Sequence, residues 1–157
     1  MNLRFELERE IKRHRDVLVE RSQELIDANA GIEKTGGLTT TQIHNLLHTA
    51  WSRRTLSSIQ HFIHQQMERS AEGEAWKFGG QKTDSGESGK YFGDRLIAEL
   101  YRFIADIAQI IVANERIGYD LQNEVEMKLA REFLTYLAWY FIHRQNEATR
   151  KGGNTHV

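Results

Sequence analysis

Leu38-Thr39-Thr40-Thr41-Gln42-Ile43 is the stretch of this sequence that decides its fold. With Thr39 at the N-cap and Gln42 three residues later, it has the pattern of a capping box. In that motif the Thr39 hydroxyl accepts from the backbone N–H of Gln42, and the Gln42 side chain accepts from the backbone N–H of Thr39. Leu38 and Ile43 occupy the two positions of a hydrophobic staple. The stretch therefore predicts a helix that begins near Thr40.

Apolar residues recur at helical spacing on both sides of this start. Before it, the pattern predicts one amphipathic helix over about Leu3 to Asn29. After it, the apolar face changes side at about Ser52 to Thr55, which predicts a bend or break between two helices. Two further helices are predicted from Asp94 to about Arg116 and from Asp120 to about Lys151, and the apolar Phe133 to Ile142 stretch of the second is expected in the core or at an interface.

The composition agrees with helices. The chain has 157 residues, a length that fits one domain over residues 1–157, and it contains no proline, where average usage would give about eight. The absence of cysteine excludes disulfides and thiolate metal sites. No apolar run is long enough to span a bilayer, and the charged N-terminal residues do not resemble a signal peptide. We expect a soluble cytoplasmic protein with an all-α fold, a compact bundle of four to five helices.

One segment, from about residue 70 to 93, lacks helical periodicity and holds six of the 12 glycines. It is predicted to be a long loop, and loops of this length in a compact domain are usually functional or disordered. Trp76, Phe78, Tyr91 and Phe92 make it more apolar than a free linker, so we expect it to dock on this domain or on a partner. Residues from about 152 to 157 are predicted to be a frayed tail.

Signals for catalysis or metal binding are weak. His44 and His48 are four residues apart, but no glutamate lies between them to act as the base of a metalloprotease. Arg54 and His61 fit the loose Arg-x6-His pattern of helical HEPN-type ribonucleases, in which arginine stabilises phosphate charge and histidine moves a proton. That chemistry requires a straight helix through both residues. We expect no catalytic residue, metal or cofactor, and keep the HEPN-like ribonuclease as an alternative.

Basic residues cluster locally although the formal net charge is −1. The run Arg9-Glu10-Ile11-Lys12-Arg13-His14-Arg15 carries a net charge of +3, and Arg53-Arg54 lies at the predicted break. Such clusters neutralise phosphates in nucleic-acid-binding proteins, and they also occur on solvated helix faces.

Two stretches resemble a known family. Leu38-Thr39-Thr40-Thr41-Gln42-Ile43-His44-Asn45-Leu46-Leu47 is similar to the Leu-Thr-Thr-Ser-Gln-Ile-Arg-Asn-Leu-Leu signature of the Csm-type small subunit of type III CRISPR effector complexes, with His44 in place of the arginine. Phe133-Leu134-Thr135-Tyr136-Leu137-Ala138-Trp139-Tyr140-Phe141 is similar to the closing helix of that family, and Arg116 to an arginine that closes its middle helix.

The resemblance implies a non-catalytic subunit that stacks with other copies and with other CRISPR effector subunits, and that contacts the guide RNA and the target RNA. Together with the basic clusters it indicates the residues that we expect to contact RNA phosphates: Lys12, Arg13, Arg53, Arg54, Arg102 and Arg116. A further alternative is a helical protein–protein adaptor without an RNA role, whose interface would be the helix that carries Trp139 and Tyr140.

Overall fold

A computed structural model of the chain describes residues 2–29, 38–68, 76 and 91–153. Within these ranges the regular structure is entirely helical, as predicted, with six helices where four or five were expected. The helices are α1 (Leu3–Arg13), α2 (Arg15–Ala28), α3 (Thr40–Ser52), α4 (Leu56–Glu68), α5 (Phe92–Ala98, then π-helical Glu99–Ile104, then Ala105–Val112) and α6 (Gln122–Gly153).

The capping box at the start of α3 is confirmed. Thr39 Oγ1 accepts from the Gln42 backbone N–H at 3.2 Å, and the Thr39 backbone N–H donates to Gln42 Oε1 at 2.9 Å. Leu38 and Ile43 are both buried, as the hydrophobic staple requires. The helix begins at Thr40, the residue that the sequence pattern indicates.

The prediction of a single N-terminal helix was wrong, because the chain leaves helical geometry at His14 (φ −100°, ψ 5°) between α1 and α2. Ile11 before the interruption and Leu18 after it are both buried. An interruption of one residue keeps the later apolar side chains facing the core. Periodicity therefore does not reveal it.

The predicted break after α3 is confirmed. Arg53 is extended (φ −94°, ψ 161°) and its N–H donates to Thr49 O at 2.9 Å. The Thr55 hydroxyl then accepts from the Ser58 backbone N–H at 3.2 Å and starts α4. Because the chain turns here, Ile43 of α3 and Ile59 of α4 are both completely buried.

Helix α5 begins earlier than predicted, at Phe92 rather than Asp94, and α6 begins later, at Gln122 rather than Asp120. Helix α5 starts at Phe92, and Asp94, the predicted cap, is instead its third residue and accepts from the Tyr91 backbone N–H at 3.3 Å. It ends at Val112, not near Arg116. Between α5 and α6 the chain turns at Gly118, whose φ of +84° is a conformation that favours glycine. A short 3₁₀ turn, Tyr119–Leu121, then leads into α6.

Helix α6 is the centre of the bundle. It packs most extensively against α2, α3 and α5, and it also contacts α1 and α4. Phe133, Leu137 and Phe141 are completely buried, which confirms the prediction that this stretch lies in the core. Three ion pairs join α1 and α2 to residues of increasing number along α6: Glu8 with Lys128, Arg15 with Glu132, and Asp27 with Arg144. Helices α1 and α2 therefore run parallel to α6. Helix α3 runs antiparallel to it, because Thr40 at its start bonds to Gln145 and Ala50 near its end bonds to Arg131.

Trp76 joins α4 to α5. Its side chain is completely buried, with its ring centroid 6.5 Å from that of Phe62 and 6.3 Å from that of Phe92. Its carbonyl accepts from the Gly93 N–H at 2.9 Å. The expectation that apolar residues of this segment dock is thus confirmed for Trp76 and Phe92. The rest of the predicted loop before Tyr91, and residues 154–157 of the predicted tail, lie outside the described residues.

None of the helices in the described ranges has a stretch long and apolar enough to cross a bilayer.

Candidate nucleic-acid interface

Trp51, at the end of α3, is the centre of the candidate site. Its side chain is 59% exposed, although it is one of the largest apolar groups in the chain. The Arg131 guanidinium of α6 lies over its ring, with the Cζ atom 5.6 Å from the ring centroid. Arg131 is itself fixed, because its Nε donates to Ala50 O at 3.0 Å and its Nη2 donates to Arg53 O at 2.8 Å. It thereby satisfies carbonyls at the open C-terminus of α3.

Helices α1 and α6 complete a shallow cleft of about 130 Å³ beside Trp51. One ion pair joins its walls, and a second joins its lining residue Glu132 to α2. Lys128 Nζ of α6 lies 3.1 Å from Glu8 Oε1 of α1, and Arg15 Nη2 of α2 lies 3.2 Å from Glu132 Oε1 of α6. The residues that line the cleft are Glu8, Ile11, Trp51, Lys128, Arg131 and Glu132.

Three of the six predicted phosphate contacts lie around this cleft. Lys12 follows Ile11 on α1 and is exposed. The backbones of Arg53 and Arg54 are held against α6, since Arg53 O accepts from Arg131 and Arg54 O accepts from Asn123 Nδ2 at 3.1 Å, and both side chains are exposed. None of Lys12, Arg53 and Arg54 forms an ion pair within the part of the chain that the structure describes.

The cleft and its surroundings carry a local excess of positive charge. We name the residues together the Trp51 surface. The charged residues that line the cleft balance each other, with Lys128 and Arg131 against Glu8 and Glu132. The excess of positive charge comes from Lys12, Arg15, Arg53 and Arg54 around it, in a chain whose formal net charge is −1. The members of the Trp51 surface are Glu8, Lys12, Arg15, Trp51, Arg53, Arg54, Lys128, Arg131 and Glu132.

Arg13 and Arg116 lie on a different side of α1 and are paired. Arg13 Nη1 lies 3.1 Å from Glu10 Oε1, one turn away on the same helix. Arg116 Nη1 lies 3.5 Å from Glu6 Oε1, and the carboxylate of Glu6 is buried. The structure therefore does not bring these two predicted contacts to the Trp51 surface.

Arg102 lies on the opposite side of the bundle. It is exposed on α5, two residues from the buried Leu100 and Ile104, so it points away from the core. The core side of α5 packs beneath α6, where the ring centroids of Phe103 and Phe133 are 6.4 Å apart. The Trp51 surface, in contrast, lies on the outer side of α6.

Sequence reasoning missed Trp51, Lys128 and Arg131 as candidates, and it did not select Arg15 from the basic run to which it belongs. Trp51 stands next to the predicted break, and a large aromatic residue beside two arginines was a usable signal. Lys128 and Arg131 gave no such signal in the sequence, because each is an isolated cation in the amphipathic pattern of α6. Their relevance comes only from the packing of α1 and α3 against that helix.

Tyr136 holds the adjoining part of the surface together. Its hydroxyl donates to Glu132 Oε1 at 2.9 Å, the same oxygen that pairs with Arg15. Burial, and then the hydrogen bond to Glu132, raise the pKa of Tyr136 above its ordinary value. The nearby Tyr136 and Glu132 raise the pKa of Arg15.

The residues of the alternative ribonuclease do not share a helix. Arg54 lies in the connection before α4, which begins at Leu56, and His61 is exposed on α4. The straight helix that would place both side chains on one face is absent at this point of the described chain. The described residues also contain no cluster of three or more His, Asp or Glu side chains arranged to hold a metal ion.

His44 occupies the flank of α3 that faces α6. It lies four residues after Thr40, whose hydroxyl hydrogen-bonds to Gln145 of α6, and seven residues before Trp51. At about 100° per residue these three positions lie on one side of the helix. His44 is exposed and extends the edge of the Trp51 surface along α3.

No family model, curated protein or solved structure matches this chain.

Proposed function

We propose that this chain is a non-catalytic small subunit of a type III CRISPR RNA-guided effector complex. In this role it contacts the backbone of guide or target RNA, neighbouring effector subunits and further copies of itself in a stacked filament, in the cytoplasm. The observation that carries the proposed RNA contact is the Trp51 surface, and the assignment to this kind of complex rests on the resemblance of residues 38–47 and 133–141. A chain with almost balanced charge concentrates exposed cations on that surface, next to an exposed aromatic ring.

Phosphate contact is the chemistry that this surface favours. Arg53 and Arg54 have guanidinium groups free of ion pairs within the described residues, on a backbone fixed by Arg131 and Asn123. Charge-assisted bonds from guanidinium to phosphate need no base recognition, so they suit a subunit that tracks an RNA backbone of any sequence. Each such contact releases counterions and makes binding depend on salt.

Contacts with neighbouring subunits have separate support. Trp139 on the outer side of α6 is 63% exposed and lies edge-on to Tyr136, with their ring centroids 6.0 Å apart. Phe5 and Ile110 are also large apolar side chains that are mostly exposed. Exposed apolar residues spread over several sides of a small bundle are consistent with a subunit that has more than one protein neighbour.

The test is target-RNA binding by the assembled effector complex that carries the double substitution Arg53→Ala and Arg54→Ala. Because each lost phosphate contact lowers the slope of log affinity against log salt by about 0.7 for single-stranded nucleic acid, we expect the slope to fall by about 1.4. Measurements over a series of salt concentrations give this slope directly.

Arg13→Ala with Arg116→Ala is the matched control, since it removes the same charge from cations that are already paired with Glu10 and Glu6. We expect a smaller change in slope for this variant. Unchanged affinity and slope in the Arg53/Arg54 variant, or an equal effect in both variants, would contradict the role of the Trp51 surface.

A further inference from the structure

Trp51 has one covered ring face and one open ring face. Arg131 covers the first, at 5.6 Å from the ring centroid, and the side chain remains 59% exposed. Because Arg131 donates hydrogen bonds to Ala50 O and Arg53 O, its guanidinium is fixed in place against the ring. A ring that is already ordered loses little conformational freedom when a second flat group stacks on it.

The charge around the open face favours one kind of occupant. The exposed side chains of Lys12, Arg53 and Arg54 provide positive charge nearby. An aromatic platform bordered by cations is the arrangement that binds single-stranded nucleic acid, where bases stack and phosphates meet the charges.

We propose that Trp51 stacks on an unpaired base of a single-stranded RNA whose phosphates lie against Lys12, Arg53 and Arg54; this inference rests on the proposed RNA-binding function. The bases of a duplex are already stacked on their neighbours and cannot reach the ring. The Trp51 surface therefore prefers single strands over duplexes, and this preference comes from the aromatic ring rather than from the charges.

The experiment measures the binding of the full chain to a fluorescein-labelled, unstructured RNA oligonucleotide at low salt, by fluorescence anisotropy. Trp51→Ala is expected to weaken binding about tenfold with an unchanged salt slope, because stacking on one base is worth about 1–3 kcal/mol and involves no counterions. Trp51→Phe, which keeps a ring, should retain most of the affinity. Binding to a duplex of the same sequence should not respond to either substitution.

Tyr119→Ala is the matched control, because it removes an aromatic ring of similar exposure from outside the Trp51 surface and outside the proposed subunit contacts, and it should bind like the wild type. Circular dichroism checks that each variant is folded. If Trp51→Ala binds single strands like the wild type while Arg53→Ala with Arg54→Ala binds more weakly, stacking is wrong and the proposed function stands. The stacking proposal would also be overturned if the wild-type chain did not bind RNA. It would be overturned as well if Trp51→Ala lost self-association but kept RNA binding. The proposed function is decided separately, in the assembled complex.

Discussion

Gly93, the second residue of α5, lies so close to α4 that its missing side chain matters. A Cβ atom at this position would clash with Met67 Sδ and would stand 3.2 Å from Ile63 Cγ2. Ile63 is completely buried, so it has little freedom to move, whereas Met67 is only partly buried and has a flexible side chain. The contact between α4 and α5 therefore depends on the absence of one methyl group.

Gly93→Ala tests this contact. In an exposed helix the change to alanine would stabilise by up to about 1 kcal/mol, but here overpacking should outweigh that gain and lower the free energy of unfolding by about 1–2 kcal/mol. The measurement is urea denaturation followed by circular dichroism. In a Met67→Ala background the clash with sulfur is gone and only the close approach to Ile63 remains, so the loss should be smaller. A loss of equal size in both backgrounds would show that Met67 is not the obstacle.

At the scale of single helices, α3 shows how a short polar motif sets a boundary. The reciprocal bonds of Thr39 and Gln42 satisfy two backbone N–H groups that the first turn of a helix leaves without partners. At the other end of α3, Arg131 supplies the donors for two carbonyls. One end of this helix is thus determined locally, and the other by a residue about 80 positions away.

Thr39→Ala is expected to lower the free energy of unfolding by about 1 kcal/mol, the usual cost of removing an N-cap side chain. Thermal or urea denaturation measures it. Thr41→Ala is the control, since it removes the same atoms from an exposed position inside the first turn. Alanine favours helix there, so the control should be neutral or slightly stabilising. Equal losses in both variants would mean that the N-cap bond contributes nothing measurable.

The elements follow from the sequence because their signals are local. The capping box, the switch of apolar face after α3 and the core character of α6 all appear in the printed residues. The interruption at His14 does not, since the buried seam continues on both sides of it. The true start of α5 was also missed, because Asp94 is a frequent capping residue that here reaches back from the third position to the Tyr91 N–H.

The Trp51 surface belongs to the scale of the whole molecule, and this is why only part of it could be predicted. Lys12 and Arg53 were candidates from local basic clustering. Their proximity to Lys128 and Arg131 depends on packing across the bundle, and the pair of Arg15 with Glu132 spans 117 positions. No local pattern records such a distance. For the same reason, clustering alone did not separate Arg13, Arg102 and Arg116 from this surface.

Two tyrosines of α6, Tyr136 and Tyr140, make the stability of the bundle sensitive to alkali. The Tyr140 hydroxyl donates to Asp27 Oδ1 of α2 at 2.6 Å, and this bond, followed by burial, raises the pKa of Tyr140. Burial raises the pKa of Tyr136 in the same direction. In each case the folded state favours the neutral phenol. The contribution of that phenol to the free energy of unfolding is therefore complete below the ordinary tyrosine pKa of about 10, and it is lost as pH rises through the higher pKa of the folded protein.

We therefore expect the free energy of unfolding to fall above about pH 10 through the ionisation of these two tyrosines. Tyr140→Phe should cost about 1 kcal/mol near neutral pH, the usual value of one hydrogen bond, and should make the alkaline fall less steep. Urea denaturation at a series of pH values measures both effects. Tyr119→Phe is the control, because Tyr119 is 64% exposed and forms no hydrogen bond through its hydroxyl within the described residues. An alkaline fall of the same steepness in Tyr140→Phe and in the wild type would contradict the assignment.

The central position of α6 also has a consequence for synthesis on the ribosome. This helix follows the other five in the chain and packs against each of them, so the apolar faces of α2, α3 and α5 have no main partner until it emerges. At about 5–20 residues per second, adding its 32 residues takes about two to six seconds. During that interval the nascent chain exposes most of its future core. Because chaperones bind exposed apolar surface on emerging polypeptides, we expect them to engage this chain until α6 has emerged.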